Sequence, residues 1–361
     1  EITTRLVGSE MCIRDSKCAP CNMYGRVSHS GIMKKFTEGS SRLIGFYLLF
    51  VTMISCTPKQ QESIAVERID GSIVNTDAPL LNPSHLQIDG DVLWISDFGA
   101  DPMVTATSVK TGKVLASVLY KGRGPFEGMP PINILIKNDK IFFHSRGNTT
   151  LFCGNKYDLL TGKTKLPTER LTLDRSIDRC LPLDDSLLLA SGSFKEGRFA
   201  WVALNHPETL AYFGNYPDFW EEEKNYNDIV KSRFHQSRFF RNSQSDRIAI
   251  VGTYTLSFME FASQEAKFVK ELLLHNYQYD YSDSGRFRYS KKRAGVVNGV
   301  KGATANDKHI YILFDTASEN DSRQPLIWMF DWDGNHIRTI DAGKEIYPIS
   351  CLLYTSPSPR D

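Results

Sequence analysis

A turn that contains an aspartate and leads directly into an apolar strand occurs five times in this 361-residue sequence. The five segments are DGDVLWIS, KNDKIFFHS, LDDSLLLAS, QSDRIAIVG and ANDKHIYILF, with turn aspartates Asp91, Asp139, Asp185, Asp246 and Asp307. Successive aspartates are 48, 46, 61 and 61 residues apart. Self-similarity at such a period is typical of propellers and other repeat architectures. The repeat therefore predicts a fold built from similar units.

Each apolar strand is followed by a second strand and a polar turn, so we interpret the unit as a four-stranded antiparallel meander of about 45 residues. The turn Thr111-Gly112-Lys113 recurs at 161–163, and we interpret both as hairpin turns because glycine supplies the positive φ that tight hairpins need. A sandwich or two stacked barrels would use as many strands without predicting the repeated turn. The sequence therefore predicts an all-β propeller.

The two ends of the chain can be encoded by complementary strands of the same DNA. The last eleven residues, CLLYTSPSPRD, and the stretch LVGSEMCIRD at 6–15 can be translated from opposite strands of one DNA sequence. We therefore expect 1–16 and 351–361 to be sequencing-adapter scars, and 17–32 to be untranslated leader carried into the reading frame. The C-x-x-C pair in that leader lacks the second ligand pair that a zinc site needs.

Residues 33–55 have the form of a secretion signal. Lys34, Lys35 and Arg42 make a positive region, and 43–54 are twelve residues without a charge. A helix of that length rises about 18 Å, whereas the hydrocarbon of a bilayer is roughly 30 Å thick. We therefore expect a signal peptide and not a membrane span.

A small residue immediately before Cys56 resembles the lipobox of bacterial lipoproteins. The resemblance implies that the Cys56 thiol carries a diacylglycerol and that the mature chain begins there, anchored to a membrane by its acyl chains. An ordinary cleaved signal with an incidental cysteine is the alternative. Thr57 and the absence of an acidic run after it favour an outer-membrane lipoprotein that faces the periplasm.

The mature part has a formal charge of about −2, so no basic field suggests a nucleic-acid partner. Its two cysteines, Cys153 and Cys180, are expected to be buried thiols, although an exported chain could also pair them. The histidines show no metal-binding spacing and no G-x-S-x-G elbow is present. The sequence therefore predicts no metal site, no cofactor and no catalytic residue.

We expect 56–80 to form an anchor linker with a first strand, and 81–350 to form the propeller. Five blades are visible, and the strand-like segment 64–75 could complete a sixth by pairing with C-terminal strands. Those strands should follow 346–350, where the second adapter scar begins. We therefore expect an incomplete sixth blade in a gene cut short by roughly 30 residues.

The segment PDFWEEEKNYNDIVKSRFHQSRFF lengthens the spacing between the third and fourth blades. Its apolar residues recur at helical intervals, and acids precede bases as the helix dipole favours. We expect a short amphipathic helix over one end of the ring, in which Trp220 is a packing anchor. Trp220 and Tyr226 are also candidates for a binding face.

The glycine-rich segment KGRGPFEGMPP at 121–131 follows the first blade. It matches neither the dinucleotide pattern nor the P-loop, so a crossover between blades is favoured over a phosphate cradle. Arg123 and Glu127 could then point into the mouth of the channel, which makes them the other candidates for the binding face.

Several segments carry a family resemblance: KGRGPFEG at 121–128, the Lys-Asn-Tyr segment at 224–226, and GVKGATANDKHIYILF at 299–314. Together they resemble the TolB-like six-bladed propeller lipoproteins over nearly all of 56–350. The resemblance implies a six-bladed β-propeller in the cell envelope. It supplies no reaction, and the usual G-P-G-E-F ending is G-P-F-E-G here.

Two functions are compatible with these features. The first is a lipid-anchored envelope module that binds a protein, a peptide or a glycan. The alternative is a hydrolase or lyase that acts on a glycan or a lactone in the periplasm. Two acids and a histidine, or three metal ligands, converging on the channel would favour the enzyme, whereas an exposed aromatic patch beside the channel would favour binding.

Overall fold

The computed structural model describes residues 65–71, 77, 80–262, 265–283, 288–318, 323–343 and 346. The predicted adapter scars, leader and signal peptide, together with Cys56, lie outside the described residues. Among the described residues, no helix combines the length and the apolar character that crossing a bilayer would need.

Five antiparallel sheets of four strands follow a short first strand, β1 (Val66–Arg68). The first sheet has β2 (Pro83–Asp89), β3 (Val92–Asp97), β4 (Val104–Ser108) and β5 (Val114–Val118). After the small pair β6 (Tyr120–Lys121) and β7 (Glu127–Gly128), the second sheet has β8 (Ile132–Lys137), β9 (Lys140–Ser145), β10 (Thr150–Asn155) and β11 (Glu169–Thr172), with helix α1 (Lys156–Leu160) between its last two strands.

The third sheet has β12 (Ile177–Pro182), β13 (Leu187–Gly192), β14 (Phe199–Ala203) and β15 (His206–Phe213). A 3-10 helix (Glu221–Asn225) and helix α2 (Asp228–Phe234) lead to the fourth sheet, with β16 (Arg238–Arg241), β17 (Arg247–Val251), β18 (Thr255–Ala262) and β19 (Glu265–Leu273). The hairpin β20 (Tyr279–Asp283) and β21 (Arg288–Lys292) precedes the fifth sheet, with β22 (Gly299–Ala305), β23 (His309–Asp315), β24 (Leu326–Asp331) and β25 (His336–Asp341).

The repeated turns occupy the same place in every sheet. Each turn aspartate lies between the first and the second strand, and the apolar segment after it is the second strand. The second strands are almost entirely buried because neighbouring sheets pack face to face. The ring centroids of Trp94 on β3 and Phe143 on β9, for example, are 6.2 Å apart. The predicted meander and the all-β propeller are confirmed.

One predicted hairpin turn is a helix end. Gly112 lies in the β4–β5 hairpin at φ +73°, as expected, but Gly162 takes the same φ just after α1. The side chain of Asn155 begins this helix, because its oxygen accepts hydrogen bonds from the N–H groups of Tyr157 and Asp158. The prediction of a hairpin at 161–163 was wrong because local capping takes precedence over the strand pattern.

The predicted strand near the N-terminus is present but pairs elsewhere. β1 lies parallel to β25 at the edge of the fifth sheet, with Val66 opposite Thr339 and Arg68 opposite Asp341. It therefore adds a fifth strand to the fifth sheet. Cys153 and Cys180 are free, buried thiols in one hydrophobic cluster, as expected, and burial raises their pKa to about 11 and about 12.

Candidate ligand cavity in the channel

A cavity of about 850 Å³ lies where the first strands of the five sheets converge. Each first strand is the edge strand of its sheet, and successive first strands contact each other around the ring. All five strands, β2, β8, β12, β16 and β22, contribute lining residues. The volume falls within the range of small-molecule sites.

The charge of the cavity wall is positive on balance, although Lys301 pairs with Asp315 and Arg241 with Asp246, two carboxylates outside the wall. Six cationic side chains line it, whereas Asp89 is the one carboxylate among the described lining residues. Asp89 forms a 2.5 Å ion pair with Lys156, so its charge is already compensated. The cationic residues are Lys137, Lys156, Arg179, Arg238, Arg241 and Lys301.

These cations lie at two levels along the first strands. Arg179, Arg238 and Lys301 stand near the strand beginnings, whereas Lys137 and Arg241 stand at the strand ends. Arg238 and Arg241 are three residues apart on β16, and a strand rises about 3.3 Å per residue, so the two levels are about 10 Å apart. A ligand that spans the cavity meets positive charge at both ends.

The cations affect one another across the cavity. Burial, and after it the positive charges of Arg238 and Arg146, lowers the pKa of Arg179 to about 10. Burial, followed by the charge of Arg241, lowers the pKa of Lys137. Both lowered pKa values mean that burial and neighbouring positive charge destabilise the charged form of each side chain. An anion bound between the cations would stabilise these charged forms.

His85 lies in the same wall but carries no charge at neutral pH. Burial, followed by the charges of Arg179 and Arg238, lowers its pKa to about 3. Its Nδ1 accepts a hydrogen bond from the backbone N–H of Ile134, so the ring proton resides on Nε2.

Neither Arg123 nor Glu127 lines the cavity. Arg123 is exposed, and the Glu127 carboxylate accepts a 2.9 Å hydrogen bond from the N–H of Gly124 within its own loop. The loop links the first and second sheets, as expected of a crossover. A role for these two residues in a binding face stays a prediction.

Trp220 and Tyr226 lie together on the insertion between the third and fourth sheets. Their rings meet edge to face with centroids 5.8 Å apart, and both are half-buried against the core of the last two sheets. The guanidinium of Arg293 lies 5.5 Å from the centroid of Trp220. The expected short helix is confirmed as α2 and the expected packing role of Trp220 is observed, whereas their part in a binding face stays a prediction.

The residue pattern that would favour an enzyme is not found in the described cavity wall. One acid and one neutral histidine line it, and no three His, Cys, Asp or Glu side chains of the described residues could together hold a metal ion. A carboxylate and a histidine do meet elsewhere, at Glu223 and His235, with 2.6 Å between Oε1 and Nε2. Both side chains are buried within the insertion itself.

The cavity cations were missed by the sequence analysis. Arg241 and Lys137, for example, precede the repeated turns, on the strands before the conspicuous apolar ones. The repeat contains a signal for these cations. In a meander blade, the strand before the repeated turn is an edge strand. The cations on these edge strands can be aligned between repeats. The apolar strands dominate the repeat and obscure this signal.

The fold and the cavity together define the class of this protein, a β-propeller with a cationic channel wall. The particular family follows from a family model described as TolB-like 6-blade propeller-like, which matches residues 67–351. The chain belongs to this family, and the predicted resemblance is confirmed. The described residues form five blades of the six, so the sixth blade is incomplete in the described part of the chain.

The solved structures to which the chain is similar share little sequence identity with it. A search of curated proteins gives no match. Among solved structures, the chain is similar to a Bacteroides fragilis protein that is assigned as an exported protein. The two share 11% identity over 77% of this chain and 80% of that chain, with a TM-score of 0.49. It is also similar to a protein assigned as a 6-phosphogluconolactonase from Bacteroides uniformis, at 12% identity, 73% and 72% coverage and a TM-score of 0.43. Neither similarity defines a ligand or an activity.

Proposed function

We propose that this protein is a lipid-anchored binding module of the cell envelope, which holds a short acidic glycan in its propeller cavity. The observation that carries the proposal is the surplus of cations over carboxylates in the cavity wall. A concave wall of one charge sign concentrates ligands of the opposite sign. The anchor rests on the signal-like segment and Cys56, and the outer-membrane location rests on Thr57 and the absence of an acidic run after it.

The neutral part of the wall also suits a sugar. Polar amide and hydroxyl side chains line the wall together with apolar rings, as they do where hydroxyl groups and C–H faces of a ligand are both in contact. These neutral residues include Asn82, Ser84, Gln87, Asn138, Phe98 and Phe240. A folded protein is too large for 850 Å³, so a protein partner would have to insert a short segment.

The proposal is tested by calorimetric titration of the full chain in detergent with trigalacturonic acid and with its uncharged methyl ester. We expect the acid to bind, with an affinity that falls as salt is added, and the ester to bind roughly tenfold more weakly or not at all. Equal binding of both compounds would contradict the proposal. Tighter binding of an acidic tripeptide would replace the glycan by a peptide, and turnover of the glycan would favour the hydrolase or lyase.

A matched pair of variants locates the binding. Lys137→Gln removes a positive charge from the cavity wall, whereas Lys308→Gln removes one from an exposed turn beside β22. We expect the acid to bind roughly tenfold more weakly to the first variant, which is about 1.4 kcal/mol, and equally well to the second. Equal losses in both variants would place the ligand outside the cavity.

A further inference from the structure

Three arginines from three successive sheets converge at one end of the channel. Arg146 follows β9, Arg179 lies on β12 and Arg238 lies on β16. All three line a smaller cavity of about 190 Å³, beside the large one. Arg179 and Arg238 line both cavities, so the small cavity adjoins the proposed ligand site.

The small cavity is polar almost throughout. Besides the arginines it is lined by an amide and two hydroxyl side chains, those of Gln236, Ser237 and Thr253. Asp178 is the one carboxylate among its described lining residues, and it is bound in an ion pair to Arg146. The guanidinium of Arg179 donates to the amide oxygen of Asn133, which is a neutral partner. Positive charge therefore exceeds negative charge around this space.

We propose that the small cavity is a subsite for one tetrahedral oxyanion, the phosphate or sulfate ester group of a ligand held in the large cavity. The inference rests on the proposed binding function and refines its ligand class. Guanidinium groups that approach from three sheets can each donate to a different oxygen of a tetrahedral group. A planar carboxylate has only two oxygens, both in one plane, so it cannot offer a different oxygen to each of the three guanidinium groups.

Two further properties support the subsite. The volume exceeds the roughly 30 Å³ that one water molecule occupies in the liquid, so it accommodates several waters that an ester group would displace. The pKa of Arg179 is lowered first by burial and then by Arg238 and Arg146, which shows how closely the charges are placed. A bound dianion reverses the sign of the field that each guanidinium experiences.

The subsite is tested on the full chain with three simple probes: inorganic phosphate, inorganic sulfate and acetate. We expect phosphate and sulfate to bind in calorimetric titration at low chloride. We expect acetate to bind at least tenfold more weakly, because it offers fewer acceptor oxygens and less negative charge to the three arginines. Acetate binding as tight as that of the tetrahedral ions would overturn the proposal.

Two variants with equal loss of charge decide the position. Arg179→Gln changes the small cavity and the adjoining end of the large one, whereas Arg241→Gln changes the opposite end of the large one. We expect phosphate affinity to fall about tenfold or more in the first and less than twofold in the second. Equal losses would overturn the subsite. If Arg179→Gln does not fold, as judged by thermal unfolding, Arg146→Gln makes the same comparison from the neighbouring sheet.

The same titrations distinguish a phosphate ester from a sulfate ester. They also distinguish failure of the subsite proposal from failure of the proposed function. Inorganic phosphate loses its second charge between pH 8 and pH 5 whereas sulfate keeps both, so binding that weakens over this range for phosphate alone shows that the subsite prefers a dianion. At pH 8 both ions are mostly dianions, so tighter binding of phosphate there favours a phosphate ester and tighter binding of sulfate favours a sulfate ester. Binding of the tetrahedral ions without binding of trigalacturonic acid supports the subsite and excludes a glycan whose only acid groups are carboxylates. The reverse result keeps the binding module and overturns the subsite.

Discussion

Nδ1 of His85, in the first sheet, accepts a hydrogen bond of 3.3 Å from the backbone N–H of Ile134 in the second sheet. The bond joins two blades at the wall of the channel, and only a neutral ring can accept it. His144, on the second sheet, is buried nearby, and burial followed by the charges of Arg179 and Arg146 lowers its pKa to about 3. Folding therefore keeps both rings neutral.

Stability should fall in mild acid. An unfolded histidine has a pKa near 6.5, whereas the folded pKa of His85 and of His144 is about 3. As the pH falls, the unfolded chain therefore binds protons before the folded chain does. The stability contributed by each neutral histidine is complete above pH 6.5 and is lost as the pH falls toward 3. Each histidine adds a limiting slope of about 1.4 kcal/mol per pH unit. Urea unfolding at pH 8, 6 and 5 measures it.

The source of that slope can be assigned with variants. His85→Gln should reduce the pH dependence of unfolding, whereas His206→Gln, at an exposed position, should leave it unchanged. Stability that is constant from pH 8 to pH 5 in the unaltered protein would show that neither ring stays neutral in the fold.

Removing the buried carboxylate of Glu223 should destabilise the protein. The side chain is 0% exposed and accepts hydrogen bonds from Tyr277, from the N–H of Phe219 and from His235. Glu223→Ala leaves these buried groups without their acceptor, and we expect a loss of about 3 kcal/mol in the free energy of urea unfolding.

The neighbouring residue provides the control for that variant. Glu222 is exposed and pairs with Arg293 at the surface, so Glu222→Ala should cost less than about 1 kcal/mol. Similar effects of the two substitutions would mean that the buried hydrogen bonds do not hold the insertion in place.

The end of α1 depends on the backbone of Gly162. A Cβ there has open space, so Gly162→Ala tests only the positive φ of +73°, and we expect a loss of about 1 kcal/mol. Gly71→Ala is the matched control because it also has open space but no left-handed φ. Thermal unfolding of both variants measures the difference, and equal melting temperatures would contradict the role of Gly162 as a helix terminator.

The lipid anchor has its own test. Cys56→Ala removes the thiol that the lipobox-like segment offers for acylation, so we expect the protein to leave the detergent phase in a phase partition. The unaltered chain, expressed in the same bacterial host, should stay in that phase. Retention of the variant would exclude Cys56 as the attachment point.

The repeated aspartate turns predicted the blades because a turn residue acts locally: the chain reverses wherever a short polar segment separates two apolar strands. Helix α1 was missed for the same reason, since the Asn155 cap and Gly162 are local signals that resemble those of a hairpin. Pairing of the N-terminal strand with a C-terminal strand was expected, but its partner β25 in the fifth sheet was not, because the pairing joins segments separated by nearly the whole propeller.

The sequence by itself determined the number of visible blades, their strand order and the family resemblance, since each depends on patterns within about 45 residues. Only the tertiary structure decided that Arg146, Arg179 and Arg238 face one small cavity. These residues are far apart in the chain and lie in three repeats, and no local pattern states which edges of those repeats meet. Packing of successive sheets brings their first strands together, and the charge of the channel is a property of that assembly.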